Sequence, residues 1–314
     1  MRNIILFVLL QTQAAIASAD ILAMMKVDGQ TNQMMTPQQP SRWEFKYTDT
    51  LTNGPVHHFM KMHEKLNHMI VVSRDLKDLS HIHPDYNERT HLFSVTVNQS
   101  TSDSDNQDLL QCVKRSGDHF VFATTMPMPD EVMMTHRFTV KATGPAPVVE
   151  KLIPDLNSHT DTVTKYFTDR GEVAEWGALL KVDLKIVLFK GCINWVPRFH
   201  AQFSVYDPTT QNYKPATDFV NWLGMGAHAV LVSESGVTVE EKIFYHLHSF
   251  MPILTPGEFK FPFDDPRRGL PNGIYKIWFQ AKHRGVILKI PFVINFDPPP
   301  YQRPLMGEVS LCAI

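Results

Sequence analysis

The feature that most constrains this chain is a histidine pattern that occurs twice, about one domain length apart. The first copy reads His68-Met-Ile-Val-Val-Ser73, followed by His81-Ile-His83-Pro84. The second reads His228-Ala-Val-Leu-Val-Ser233, followed by Tyr245-His246-Leu247-His248. Each apolar run is short and rich in β-branched residues, which predicts a buried strand rather than a helix. Alternate residues of a strand share a face, so His81 lies with His83 and His246 with His248. Paired imidazoles on one strand, with a third on its neighbour, are a geometry that a transition metal can use.

The rest of the chain predicts the same class of structure. Trp43, Phe45 and Tyr47 alternate with polar residues, and so do Leu180, Val182, Leu184, Ile186 and Leu188. Further strands are expected at His57–Met62, Leu66–Val72, His91–Val97, Phe120–Thr124 and Phe138–Val140. In the second half they are expected at Phe199–Tyr206, His228–Val232, Phe244–His248, Glu258–Phe263, Ile274–Ala281 and Val286–Phe296. With 22 Pro and 20 Phe, and turn signals about every ten residues, the fold class is all-β. Two tandem immunoglobulin-like antiparallel β-sandwich domains with little helix are expected, over 42–145 and 179–296. Residues 20–41 read as an extended lead-in, 146–178 as linker, and 297–314 as a Pro-rich tail. If the histidine strings mark equivalent strands, His68 superposes on His228, and His81 and His83 on His246 and His248.

Arg2, the apolar segment Ile4–Leu10 and Ala17-Ser18-Ala19 form the pattern of a secretory signal over residues 1–19. Export to a periplasm or out of the cell follows as an expectation, with no membrane span in the mature chain. A net charge of -2 gives no electrostatic footprint for nucleic acid. Three cysteines are too few for a disulfide scaffold; Cys192 and Cys312 either pair or remain separate thiols. Asn98-Gln99-Ser100 fits a glycosylation acceptor, of consequence only on a eukaryotic secretory path.

His68, His81 and His83, with His63 as a possible fourth, form the stronger candidate metal site. His228, His246 and His248 form a second and weaker one. Imidazole suits copper, zinc and nickel, and thioether suits Cu(I). Met60 and Met62, read as neighbours on one strand face near His58, are therefore candidate thioether ligands, although methionines usually fill cores. Met24, Met25, Met34 and Met35 in the lead-in suggest a flexible segment that captures Cu(I). Copper is the expected cofactor, with zinc as the alternative. The spacing of His63-Glu64-Lys65-Leu66-Asn67-His68 is one residue too long for two helical ligands at i, i+4, so it is no metalloprotease motif.

The string from His63 through Leu76, followed by His81-Ile82-His83-Pro84, resembles a block in exported bacterial proteins of largely unknown role. These proteins are loosely grouped with YtkA-like and other immunoglobulin-like periplasmic domains associated with heavy-metal or copper handling. Trp222-Leu223-Gly224-Met225-Gly226-Ala227-His228 and the strand from Gly273 to Gln280 extend the resemblance to the second half. It departs where Ser249 stands in place of the proline after His-x-His. The resemblance implies a copper-handling exported protein without catalytic turnover, whose partners are the ion and another exported or membrane protein. Two other readings compete with it. One is a structural or interaction protein in which the histidines only stabilise loops. The other is a metalloenzyme with an open three-histidine site, for which no acid–base partner is recognisable.

Overall fold

The alternating strands fold as the period-2 pattern dictates, and the protein is an all-β sandwich structure. The computed structural model describes residues 21–129, 131–158, 162–191, 194–235, 244–249, 255–263 and 269–301. The secretory signal, Cys192 and Cys312 lie outside the described residues. The first half contributes β1 (Ile21–Val27), β2 (Met34–Met35), β3 (Ser41–Asp49), β4 (Asn67–Ser73), β5 (Leu79–Ile82), β6 (Asp85–Asn87), β7 (Leu92–Val97), β8 (Gly117–Thr125) and β9 (Met134–Ala142). The second contributes β10 (Leu156–Asn157), β11 (Val163–Phe167), β12 (Val173–Ala174), β13 (Leu180–Lys190), β14 (Trp195–Asp207), β15 (Asn212–Pro215) and β16 (Phe219–Val220). It continues with β17 (Ala227–Ser233), β18 (Phe244–Ser249), β19 (Glu258–Pro262), β20 (Gly273–His283) and β21 (Val286–Phe296).

Each half is two sheets over its own core. Sheet β1-β3-β7-β6 packs on sheet β2-β9-β8-β4-β5 around Trp43, Phe45, Tyr47, Phe93 and Val121. Sheet β12-β11-β13-β14-β15, with β19 also paired to β14, packs on β10-β21-β20-β17-β18 around Phe199, Phe203, Phe259, Phe279 and Phe292. The two histidine-bearing sheets have the same order: a short parallel strand, two long antiparallel strands, then the apolar run and the His-x-His strand.

Those two sheets face each other, which is why β4 and β17 are buried at every position. Along β4, Met69 and Val71 enter their own core, while Ile70 and Val72 point across to the other half. Along β17, Ala229 and Leu231 point inward while Val230 and Val232 point across. Ile70, Val72, Leu79, Phe120, Phe122, Val230, Val232 and Trp278 make one apolar cluster between the halves, and Phe122 stacks on Phe244 with centroids 4.1 Å apart. Away from the histidines the seam buries apolar side chains as a domain core does.

The serine that ends each run belongs to the turn. Ser73 Oγ accepts from Asp78 N at 2.9 Å and donates to Asp75 Oδ1 at 2.7 Å. Asp75, almost fully buried, is neutralised by Arg115 at 3.0 Å. Ser233 Oγ likewise accepts from Ser235 N at 3.1 Å.

Several expectations need correction. Residues 20–41 are not a lead-in. β1 pairs with β3 along its whole length, burying Met25 and Val27, and Met35 is buried beside them. Held in strands, Met24, Met25, Met34 and Met35 form no flexible segment; the Gln- and Pro-rich surroundings hid a two-residue period. The linker 146–178 contains β10, β11 and β12, which pair with β21 and β13. Residues 57–62 form no strand, only isolated bridges at Phe59 and Met62. Positive φ at His63 and Glu64 turns the chain there instead. The Asn98 side chain is engaged inside, donating to the carbonyls of Gln39 and Val113 at 3.1 and 3.2 Å. No helix among the described residues is long and apolar enough to cross a membrane, which says nothing of β-barrels.

Candidate metal centre

Both His-x-His strands are edge strands of the sheets that face each other, so their histidines converge in one place. The register sets Ile70 opposite His81 on β4–β5, and Val230 opposite His246 on β17–β18. His228 stands opposite His248. His81 and His83 therefore share the face of Ile70, and His246 and His248 the face of Val230, and both faces look into the seam. Centroid distances of 4.9 Å for His81–His246, 5.7 Å for His81–His228 and 5.6 Å for His68–His246 tie the two sets together. His63 joins from the turn before β4, 4.1 Å from His248 and 6.2 Å from His228. What reads in the sequence as two candidate sites is one cluster of seven imidazoles.

Two overlapping groups could each hold an ion: His68 with His81 and His246, and His228 with His246 and His248. Within each group the offered nitrogens lie within 4.8 Å of one another. His246 belongs to both groups. His83 and His63 lie at the margins, His83 4.7 Å from His81 and 5.0 Å from His68.

Hydrogen bonding fixes the ring orientations in the first group. His68 Nε2 lies 2.7 Å from the Met62 carbonyl, which can only accept, so Nε2 carries the proton and Nδ1 the lone pair. His81 Nδ1 lies 3.2 Å from Gln280 Oε1 on β20, which makes it the donor and leaves a lone pair on Nε2. These two lone pairs meet at 3.1 Å. A cation between them turns that repulsion into attraction: two imidazoles on a tetrahedral ion at about 2.0–2.1 Å stand about 3.3 Å apart. Turning the Gln280 amide over would reverse His81 and place a proton in the gap, so the same residues can hold a proton or a cation.

Elsewhere in the cluster several nitrogens have no partner. Both ring nitrogens of His228, and Nε2 of His246 and His248, are sealed from solvent without a hydrogen bond. A buried polar atom left unpaired costs about 1–3 kcal/mol, and these converge rather than scatter. Burial pushes the imidazoles away from the charged form. His68 is lowered to about 4 and His248 to about 3, in each case first by desolvation. His81, His83, His228 and His246 are held well below the usual range by burial and then by one another. Neutral imidazole is the form that ligates metal.

The surroundings hold the ligands in place. The backbone N–H of His81 donates to Asp108 Oδ2 and that of His83 to Asn106 Oδ1, both at 2.7 Å. Asn106 and Asp108 sit at the start of a 3-10 turn (Gln107–Gln111) in the acidic loop, lying along the open edge of β5. Lys289 on β21 donates to Asp108 Oδ1 at 2.7 Å and to the Leu79 carbonyl at 3.0 Å, so the second half grips the same edge.

Met62 and Lys65 close a two-residue turn six residues ahead of His68, and Trp222 and Met225 close the same turn ahead of His228. Positive φ at both central residues of each, His63 and Glu64, then Leu223 and Gly224, makes both turns type I′. Trp222 packs its indole 5.1 Å from His81 and 4.8 Å from His228. Beside Met62 instead lies a cavity of about 280 Å³ whose lining includes Lys61, His63, His68, Met126, Met133, His246 and His248. Met60 is not among its lining residues, and the strand that would have set it beside Met62 does not form.

Gln280, Trp222, Asn106 and Asp108 were not singled out as site residues from the sequence. Trp222 alone carried a signal, since it precedes His228 by the same six residues that separate Met62 from His68.

No family model matches the chain, and no curated protein matches it in sequence. Among solved structures, a titin A168–A169 structure aligns at 11% identity over 85% of this chain and 94% of that one, with a TM-score of 0.18. A β-glucuronidase from Parabacteroides merdae aligns at 7% identity over 88% of this chain and 24% of that one, also with a TM-score of 0.18. An endo-fucoidan hydrolase of glycoside hydrolase family 107 aligns at 10% identity over 84% and 42% of the two chains, again at 0.18. At that TM-score none of the three carries an argument about fold or function, and the reading of this chain rests on its histidine centre.

Proposed function

We propose that this protein is an exported metal-binding protein that handles copper through histidines supplied by both halves of the chain. The carrying observation is the convergence of buried imidazole nitrogens that have no protein partner. A cluster that served only to stabilise loops would have its hydrogen bonds made, whereas here His228 makes none and His246 and His248 each leave Nε2 unpaired. The all-nitrogen donor set, with Met62 at its edge, supports copper, and zinc is the alternative ion. The corresponding turn, apolar run and His-x-His strand in each half support a duplicated unit. Arg2, the Ile4–Leu10 segment and Ala17-Ser18-Ala19 support export.

Titration of the mature protein with Cu(II), Cu(I) and Zn(II), read by equilibrium dialysis and by tryptophan fluorescence, tests this. At least one equivalent of copper should bind. Cu(II) should quench emission from Trp222, which touches two of the ligands, and Trp222→Phe should remove most of that quench. His81→Ala combined with His246→Ala should abolish binding, since each group loses a member. Failure of the wild type to retain any of these ions after desalting would overturn the proposal. Unchanged stoichiometry in the double variant would move the ligands elsewhere.

A further inference from the structure

The two ends of the centre are built from equivalent turns that carry different side chains. Trp222 fills the space beside His81 and His228, whereas Met62, its counterpart, leaves a cavity beside His246 and His248. Exposure follows the same gradient. His228 and His81 are 0% and 1% exposed, while His248 is 8% exposed and His246 and His63 only partly buried. One end is plugged and the other opens toward solvent.

Resting on the metal-binding reading above, we propose that an ion held through His246, which both candidate groups share and which lines this cavity, keeps a coordination position directed into it, and that the position takes a small anion. Size argues for a small ligand. The cavity of about 280 Å³ stands at the small end of the range of about 300–1,000 Å³ typical of sites for organic ligands, and the imidazoles and Met62 already line it. Charge argues for an anion: Lys61 stands in the lining, no carboxylate does among the described residues, and a bound ion adds positive charge. The lining on the far side is thioether, from Met62, Met126 and Met133. These side chains offer no hydrogen-bond donor, so the polar anchors are the ion, Lys61 and Thr124, whose hydroxyl already pairs with Thr135 at 2.9 Å. At the other end the Trp222 indole fills the corresponding space.

Azide is the probe. Full-length mature protein loaded with Cu(II) is titrated with azide, and the charge-transfer absorption is read per bound copper. Wild type should saturate at one azide per chain. Met62→Trp, which copies the plugged end onto the open one, should weaken azide binding by at least about tenfold, a change of about 1.4 kcal/mol. Trp222→Met, which alters the plugged end and leaves this cavity intact, should still saturate at one azide per chain. Copper bound without any azide response, or equal azide affinity per copper in Met62→Trp, would overturn the proposal. If Met62→Trp does not fold, Met133→Trp, which fills the same cavity, decides, and an unchanged azide affinity there overturns it. A wild type that binds no copper would remove the metal reading itself, and this proposal with it.

Discussion

The states of His68 and His81 are each set by one neighbouring atom. The Met62 carbonyl holds His68 with its lone pair on Nδ1, and Gln280 Oε1 holds His81 with its lone pair on Nε2. Groups that orient a ligand are worth about 10–100-fold in metal affinity. Gln280→Leu should therefore weaken copper binding by about that factor, measured by competition with a chelator of known affinity. The circular dichroism of the fold should be retained. Equal affinity in the variant would show that Gln280 does not orient the ring. At this scale the sequence was legible for the ligand types and silent on their partners. His68, His81 and His83 stand out as a pattern, but Gln280 is one polar residue in an otherwise ordinary strand. Only the register that sets His228 beside it, and the seam that brings His81 over from the other half, give it a role.

At the scale of elements, β5 is the exposed position of the design, because an edge strand offers backbone donors to any passing chain. Here the acidic loop covers it, with Asp108 and Asn106 receiving the N–H groups of His81 and His83. Asp108→Ala strands a buried donor and should lower stability by about 1–3 kcal/mol. The Lys289 contact, partly exposed, adds little to that figure. Urea unfolding of the metal-free protein checks this, and a loss below about 0.5 kcal/mol would show that the loop does not hold the strand. Asp108→Asn, which keeps an acceptor, should be milder. Strands were largely legible, since Val, Ile and aromatic residues alternate along nearly all of them. The misses have definite causes. In β1 the alternation Met25–Val27 is short and lies in polar surroundings. At residues 57–62 the alternation is present, but the neighbouring segment carries Pro127, which lacks an N–H, and the two pair only through an isolated bridge. Nor did the apolar runs show what covered their second faces. Ile70 and Val72 pointed to a partner surface, and only the fold shows that Val230 and Val232 supply it.

For the molecule as a whole, a seam lined by neutral histidines makes stability depend on pH. An unfolded chain binds protons at its histidines near pH 6.5, whereas His68 resists until about 4 and His248 until about 3. Above pH 6.5 both states are neutral there and these groups contribute no slope. Below it the unfolded state binds more protons, so stability falls with pH by up to about 1.4 kcal/mol per unit for each buried histidine. For His68 the loss runs down to about pH 4, and for His248 to about pH 3. The urea midpoint of metal-free protein, followed from pH 8 to pH 5 in a chelator, should be flat at first and then drop steeply. A midpoint insensitive to pH over that range would show that the imidazoles take up protons within the fold. The seam also imposes an order of events in time. His81 and Gln280 are 199 residues apart in sequence yet touch, so the centre does not exist until both halves have folded and docked. A chain caught midway through folding offers an incoming ion only half a grip from either side. On the proposed reading, full loading would therefore be the last step of maturation, and an ion that stayed bound would certify that every earlier step was completed.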